Sequence, residues 1–240
     1  MFLRPILFVL FAGTLMLGGC STLETDVYPR PRDFAIHGVD VSKYQGLIDW
    51  EQVRGSGTQF AYIKATEGGD LIDEAFPRNW EAAKAAGVRR GAYHFVYWCR
   101  PAQEQMAWFE QNVPLDEQAL PPVLDVELTP DSKTCKHMPQ REVALATIAE
   151  MLREMEVHYG KQPVIYTTVD FYQRFLQQNF SDYPIWVRST KYYPSVKYGD
   201  RRWHFWQYQS DGSVAGIRAK VDRNAFYGSE EQWLAFLDGQ

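Results

Sequence analysis

Asp125 and Glu127 stand two residues apart in Val123-Leu124-Asp125-Val126-Glu127, a run whose other members are apolar and strand-forming. Residues i and i+2 of a strand point to one face with Cα atoms ~7 Å apart, so both acids can face the same interior. Two further acids sit in runs of the same kind, Asp40 in Gly38-Val39-Asp40-Val41-Ser42 and Asp222 in Lys220-Val221-Asp222-Arg223-Asn224. An ionised carboxylate is costly to bury, so acids at the ends of apolar strands signal a site. Close carboxylates repel, which raises one pKa and keeps a proton available while the neighbours stay ionised. Acids paired in this way are the usual equipment for hydrolysing glycosidic bonds. A strand-end Asp also serves as a turn or cap residue, and Asp222, followed by Arg223-Asn224, is the most open to that reading.

Such a pair works only if a scaffold holds it, and the 240-residue chain supplies alternating strand and helix patterns. Strands are expected at Ala35 to Val41, Phe60 to Ala65, Arg90 to Val96, Pro122 to Val126, Val164 to Thr167, Ile185 to Arg188 and His204 to Gln207, with a weaker one at Ile217 to Val221. The clearest helix runs from Pro139 to Tyr159, where Ala144, Ile148, Met151, Leu152, Met155 and Tyr159 follow the spacing of a buried stripe and Gly160 fits its stop. Other helices are expected over Glu74 to Ala86, Ala102 to Asn112, Asp170 to Gln178 and Glu230 to Leu237. Repeated strand-helix units with a β-rich end predict one α/β domain over residues 34–240, an irregular TIM-like β/α barrel. Pro121-Pro122 and Pro130 confine the Asp125 strand, which sets Glu127 near the C-terminal mouth where barrel enzymes do chemistry. Asp40 is expected at the same end of the first strand and Asp222 at that end of the last, the two strands adjoining at the seam.

Aromatic residues make up 15% of the chain, and sugar rings stack their C–H faces on aromatic side chains. Tyr62, Tyr93, Tyr166, Trp186 and Tyr208, all at strand ends, are therefore candidate substrate-binding walls; core packing accounts for any one of them equally well. His94 is expected to pack in the barrel. No His, Cys or acidic cluster has metal-ligand spacing and no glycine-rich phosphate loop follows a strand, so no metal or other cofactor is indicated. Lys191, Lys197, Arg201 and Arg202 gather around the sixth and seventh strands and read as a solvated face. The formal net charge of −5 argues against a nucleic acid partner.

Residues 1–19 combine Arg4 with an apolar run from Ile6 to Leu17, the pattern of a secretory signal. The run ends in Leu17-Gly18-Gly19-Cys20, which resembles the lipobox of bacterial lipoproteins. That resemblance implies lipid on Cys20, a tether over residues 20–33 and a place in the cell envelope, at the outer membrane in a two-membrane bacterium. Cys99 and Cys135 then remain, and an even pair in an exported chain reads as one disulfide, here on loops beside the mouth.

The acids lie within a larger ordered set: residues 38–46 (Gly38 to Gly46), 60–68 (Phe60 to Gly68), Gly91-Ala92-Tyr93-His94-Phe95, Asp125-Val126-Glu127, Ile165-Tyr166-Thr167, Trp206-Gln207-Tyr208 and Val221-Asp222-Arg223-Asn224-Ala225-Phe226. This set resembles the glycoside hydrolase family 25 lysozymes, which are N-acetylmuramidases, from residue 36 to about 237. The resemblance implies hydrolysis of the β-1,4 bond between N-acetylmuramic acid and N-acetylglucosamine in peptidoglycan glycan strands, by a protein expected to be a monomer. It implies Glu127 as general acid, Asp125 as its partner, Asp40 and Asp222 completing the acidic floor, and Gln207 joining the substrate-binding set. A direct aspartate nucleophile and a substrate acetamido nucleophile both remain open. After Ile185-Trp186-Val187 the family pattern has a small residue and then an aromatic, whereas this chain has Arg188-Ser189-Thr190 with Tyr192-Tyr193 displaced. A non-catalytic glycan-binding lipoprotein, or a hydrolase of another amino-sugar polymer such as chitin, would carry many of the same features.

Overall fold

Short runs of branched and aromatic residues form nine strands: β1 (His37–Val41), β2 (Phe60–Glu67), β3 (Leu71–Ile72), β4 (Arg89–Phe95), β5 (Val123–Val126), β6 (Val164–Thr167), β7 (Ile185–Arg188), β8 (Phe205–Val214) and β9 (Ile217–Phe226). They come from a computed structural model that describes Met1, residues 28–130 and residues 132–238. The expected signal segment beyond Met1, Cys20 and the tether up to Val27 lie outside the described residues. In space the order is β1-β9-β8-β7-β6-β5-β4-β2-β3, and β1 also pairs with β2, so all strands but β3 close into a barrel. The neighbours from β1 through β2 and β4 to β8 run parallel, whereas β9 is antiparallel to both β8 and β1. The expected irregular β/α barrel with a β-rich end is the architecture found.

The helices are α1 (Trp50–Gly55), α2 (Phe76–Ala85), α3 (Ala102–Asn112), α4 (Arg141–Tyr159), α5 (Val169–Phe171), α6 (Pro194–Tyr198) and α7 (Glu230–Asp238). Among these described helices none is long and apolar enough to cross a membrane. In α4 the stripe of Ala144, Ile148, Met151, Leu152 and Met155 is buried against the strands, and Gly160 ends the helix in the left-handed region at φ 64°. Each fully buried aliphatic side chain there contributes about 1.5–3 kcal/mol. The helix expected over Asp170 to Gln178 differs: α5 gives way to a π-helical turn over Tyr172–Leu176. Helix α1 escaped the strand-helix reading because it is short, although its cap is explicit, with Asp49 Oδ1 accepting from Gln52 N at 3.1 Å.

Direction, and with it one expectation, changes at the seam. Asp222 is not at the C-terminal end of its strand but in its middle, opposite Asp40 in the β1–β9 register. Only Ala215 and Gly216 separate β8 from β9, too few residues for a parallel crossover, so β9 must turn back as a hairpin. Gly216 permits this turn at φ 90°, where a Cβ would also press on α1 at Val53 N.

Inside the barrel, the end away from the C-terminal mouth is filled by aromatic layers. Phe60, Phe205 and Phe226 meet edge to face, and Trp233 of α7 closes this end, 5.0 Å from Phe226 and 5.5 Å from Phe60. Tyr62 is fully buried one step above them. Its ring takes the space a side chain on β4 would fill, since a Cβ at Gly91 would stand 2.7 Å from Tyr62 Cδ1 and 3.0 Å from Leu120 Cβ. Gly91→Ala is therefore expected to overpack the barrel and destabilise it by about 1–3 kcal/mol, read as a lower urea midpoint. An unchanged midpoint would contradict the packing described.

Candidate active site

The C-terminal ends of the parallel strands surround a cavity of about 240 Å³. Asp40 (β1), Tyr93 (β4), Asp125 (β5), Glu127 just beyond β5, Tyr166 (β6), Trp186 (β7), Gln207 (β8) and Asp222 (β9) all line it. The alternation of strand side chains explains the selection: Asp125 faces the cavity while Val126, next along, is buried in the layer between strands and helices.

Asp40 is held by a buried relay. Its Oδ2 accepts from Gln207 Nε2 at 2.9 Å and from Asn224 Nδ2 at 2.7 Å. Each amide is oriented in turn by an aromatic donor: Tyr166 OH donates to Gln207 Oε1 at 3.0 Å, and Trp186 Nε1 donates to Asn224 Oδ1 at 2.8 Å. Burial still pushes the Asp40 pKa from 3.8 up to about 6, against the opposing pull of these two amides and the positive charge of Arg188.

Asp125 and Glu127 stand two residues apart and line the cavity together. Burial first, and then the charge of Glu127, drive the Asp125 pKa well above the ordinary range. Glu127 is also raised by burial, with Arg188 and Asp125 opposing. The two acids therefore titrate as a pair that retains a proton to higher pH than an isolated carboxyl would. Asp125 Oδ1 is a buried atom with no protein partner. Asp222 is half-buried, and burial followed by the charge of Asp40 pushes its pKa up to about 8.

Loops at this end are braced. Trp98 Nε1 donates to the backbone oxygen of Glu127 at 2.8 Å, and the Trp98 ring stacks on Phe171 at 5.2 Å. Cys99, the next residue, forms a disulfide with Cys135, their Cα atoms 5.4 Å apart, tying the loop after β4 to the loop after β5.

Two expected wall residues lie elsewhere. Tyr62 is one layer below the cavity, where its ring stacks under Trp186 at 5.0 Å and 25°. Tyr208 follows the inward Gln207 and so faces outward, against Trp206 at 5.9 Å and beneath the Arg223 guanidinium at 5.6 Å. His94 packs not in the barrel but outside it, bonded to Thr66 Oγ1 at 2.7 Å and Gln105 Oε1 at 3.1 Å. Residues that sequence reasoning passed over also line the site: Ser42, Tyr44, Lys64, Phe95 and Arg188. The signal for Arg188 was available, since it stands at i+2 from Trp186 on one strand.

A larger cavity of about 700 Å³ lies at the opposite end, near Leu120 and Lys161. Of its two acids, Asp116 and Glu117, the first is neutralised by Arg90 at 2.6 Å and Lys84 at 2.8 Å, so the cavity has no cluster of acids like that at the mouth. Among the described residues no group of His, Cys, Asp and Glu is arranged to hold a metal ion.

Residues 39–217 match the family Glycosyl hydrolases family 25. The chain is 40% identical over 215 residues to uncharacterized protein YegX of Escherichia coli O157:H7, covering 87% of this chain and 76% of that one. It is 35% identical over 214 residues to Lysozyme M1 of Streptomyces globisporus, covering 85% and 71%. A solved family 25 glycosyl hydrolase from Bacillus anthracis superposes with a TM-score of 0.79 at 37% identity, over 86% of this chain and 94% of that one.

The raised acids tie stability to pH. Asp222 titrates at the ordinary 3.8 when unfolded and at about 8 when folded, so the folded state binds its proton more tightly. This contribution is complete below the unfolded pKa and is lost as pH rises through the folded one. Asp222→Asn, which cannot ionise, is expected to stabilise the protein near pH 9 by about 1–3 kcal/mol, solvent around the half-buried group reducing the full effect, and to change little near pH 4. Equal urea midpoints near pH 9 would contradict the raised pKa.

Proposed function

Because this chain belongs to glycosyl hydrolases family 25 and is therefore a glycoside hydrolase, we propose that it cleaves the β-1,4 bond between N-acetylmuramic acid and N-acetylglucosamine in peptidoglycan, with Glu127 as the proton donor. The names of its relatives, Lysozyme M1 and the Autolytic lysozyme of Clostridium acetobutylicum, support a cell-wall glycosidase. The single observation that carries the assignment of roles is that Asp125 and Glu127 line one cavity from adjacent inward positions, Asp125 buried and Glu127 nearer its mouth. Breaking the glycosidic bond requires a proton on the departing oxygen, and two carboxyls that titrate as a pair keep an acid available near neutrality. Glu127 is less buried than Asp125 and stands at the strand end, so it meets the glycosidic oxygen.

Acids at i and i+2 of one strand lie side by side on one face of the cavity, not on opposite faces of a sugar ring as an acid and an attacking carboxylate or water-activating base must. This arrangement supports the third route. The substrate's acetamido oxygen attacks the anomeric carbon while the C–O bond breaks and the leaving oxygen takes the proton of Glu127. The unpartnered Asp125 Oδ1 receives the acetamido N–H, and Glu127 then accepts a proton from the water that opens the ring intermediate. Asp40, fixed by its two amides, lies where negative charge stabilises the oxocarbenium-like transition state.

Glu127→Gln is expected to lower kcat about 10²–10⁴-fold with an unchanged thermal midpoint, measured as reducing ends released from peptidoglycan. Mass spectrometry of the products should find muramic acid at the new reducing end. A wild-type protein that binds glycan but releases no reducing ends between pH 4 and 8 would overturn the enzyme assignment, and chito-oligomer products would overturn the bond.

The segment Leu17-Gly18-Gly19-Cys20 supports anchoring to a membrane of the cell envelope through lipid on Cys20. Cys20→Ala should move the protein from the membrane to the soluble fraction. Retention in the membrane would remove the anchor from the proposal.

A further inference from the structure

Two cations line the active-site cavity, Lys64 and Arg188. Lys64 is committed: its Nζ stands 2.5 Å from Glu67 Oε2, and Glu67 also accepts from Tyr97 OH. Arg188 is not. Among the described residues its guanidinium forms no ion pair and donates no hydrogen bond, although acids of the cavity surround it. Where this chain uses an arginine to neutralise an acid it makes the contact directly, as Arg90 does with Asp116 at 2.6 Å.

The base of Arg188 is nonetheless firmly built. It closes β7 on the face of Trp186 and is level with Gln207 of β8. Its carbonyl accepts from Tyr198 OH at 2.8 Å, and the carbonyl of the next residue, Ser189, accepts from Trp206 Nε1 at 2.8 Å. A half-buried guanidinium on a fixed backbone and without a protein acceptor is costly unless an anion reaches it.

Resting on the peptidoglycan reading above, we propose that Arg188 binds the free lactyl carboxylate of a muramic acid residue, so that the enzyme selects glycan strands from which the stem peptide has been removed. Muramic acid differs from glucosamine by this lactyl ether. Its carboxyl is ionised when free and is a neutral amide when a peptide is attached. A guanidinium grips a carboxylate through two parallel charge-assisted bonds, each roughly twice as strong as a neutral one, and gains far less from an amide oxygen. The cavity of about 240 Å³ is below the ~300–1,000 Å³ usual for ligand pockets, which suits one sugar ring with its own substituents. A carboxylate carried on that ring by the short lactyl ether suits a cavity of this size, while those of a stem peptide lie further from the ring.

The test compares kcat/KM of the full chain and its Arg188→Gln and Arg188→Lys variants on three substrates. These are peptide-free glycan strands, the same strands with the lactyl carboxyl converted to a methylamide, and strands bearing stem peptides. Wild-type enzyme is expected to prefer the free acid over the methylamide by about 10- to 100-fold. Arg188→Gln should lose that preference through the free acid alone, and Arg188→Lys should regain part of it. Equal losses on all substrates, with a displaced pH profile, would show that Arg188 acts on the carboxyls of the enzyme and would overturn the proposal. So would a wild-type enzyme indifferent to the methylamide. Faster cleavage of peptide-bearing strands, abolished by Arg188→Gln, would assign the carboxylate to the stem peptide and overturn the lactyl assignment. A wild-type enzyme inactive on every substrate would instead strike at the glycosidase reading itself.

Discussion

Several carboxyl groups in a cavity of about 240 Å³ repel one another and lose water, and the rest of this barrel is arranged around that constraint. Each acid is accommodated differently. Asp40 receives two amide donors, Asp125 and Glu127 titrate as a pair, and Asp222 keeps partial access to solvent. The aromatic residues beneath serve this arrangement as much as they fill the core. Trp186 and Tyr166 present rings to the barrel interior and use their single polar atoms to orient Asn224 and Gln207. Tyr62 holds the Trp186 ring from below. Packing deep in the barrel is thereby converted into the direction of a carboxylate at its mouth.

The same coupling runs through the loops. The backbone oxygen of Glu127 is fixed by Trp98, Trp98 is stacked on Phe171, and the adjacent disulfide ties its loop to the segment after β5. A proton donor must stand within hydrogen-bond reach of the oxygen it protonates, and it sits here just beyond the last residue of its strand. Fixing the backbone on both sides limits the freedom that such a position would otherwise have.

The barrel and its acidic strand were legible because their signals are local. A period of two carries Asp125 and Glu127 to one face, a period of 3.6 carries the α4 stripe, and Cys99 and Cys135 are the two cysteines within residues 34–240. Depth and direction were less legible. Tyr62 and Lys64 share a face of β2, and only the stacked layers decide that the second reaches the cavity while the first stays below it. The reversal of β9 could have been read from the two residues between it and β8. The outward course of Tyr208 could have been read from its neighbour Gln207. Arg188 is the more instructive omission: it stood apart from the cations read as a solvated face, and the face-sharing rule was applied to acids but not to a base.

The seam between β1 and β9 joins residues 37–40 to residues 222–225, nearly the whole length of the domain apart. Contacts of such sequence separation form late, because a long loop must close before they give any return. While the chain folds, β1 and β8 therefore remain open edges until the hairpin partner arrives, and open edges invite pairing with other chains. Asn224 and Asp222 travel on that final strand. The strand that seals the barrel also delivers the donor that orients Asp40, so closing the fold and arming the site are one event.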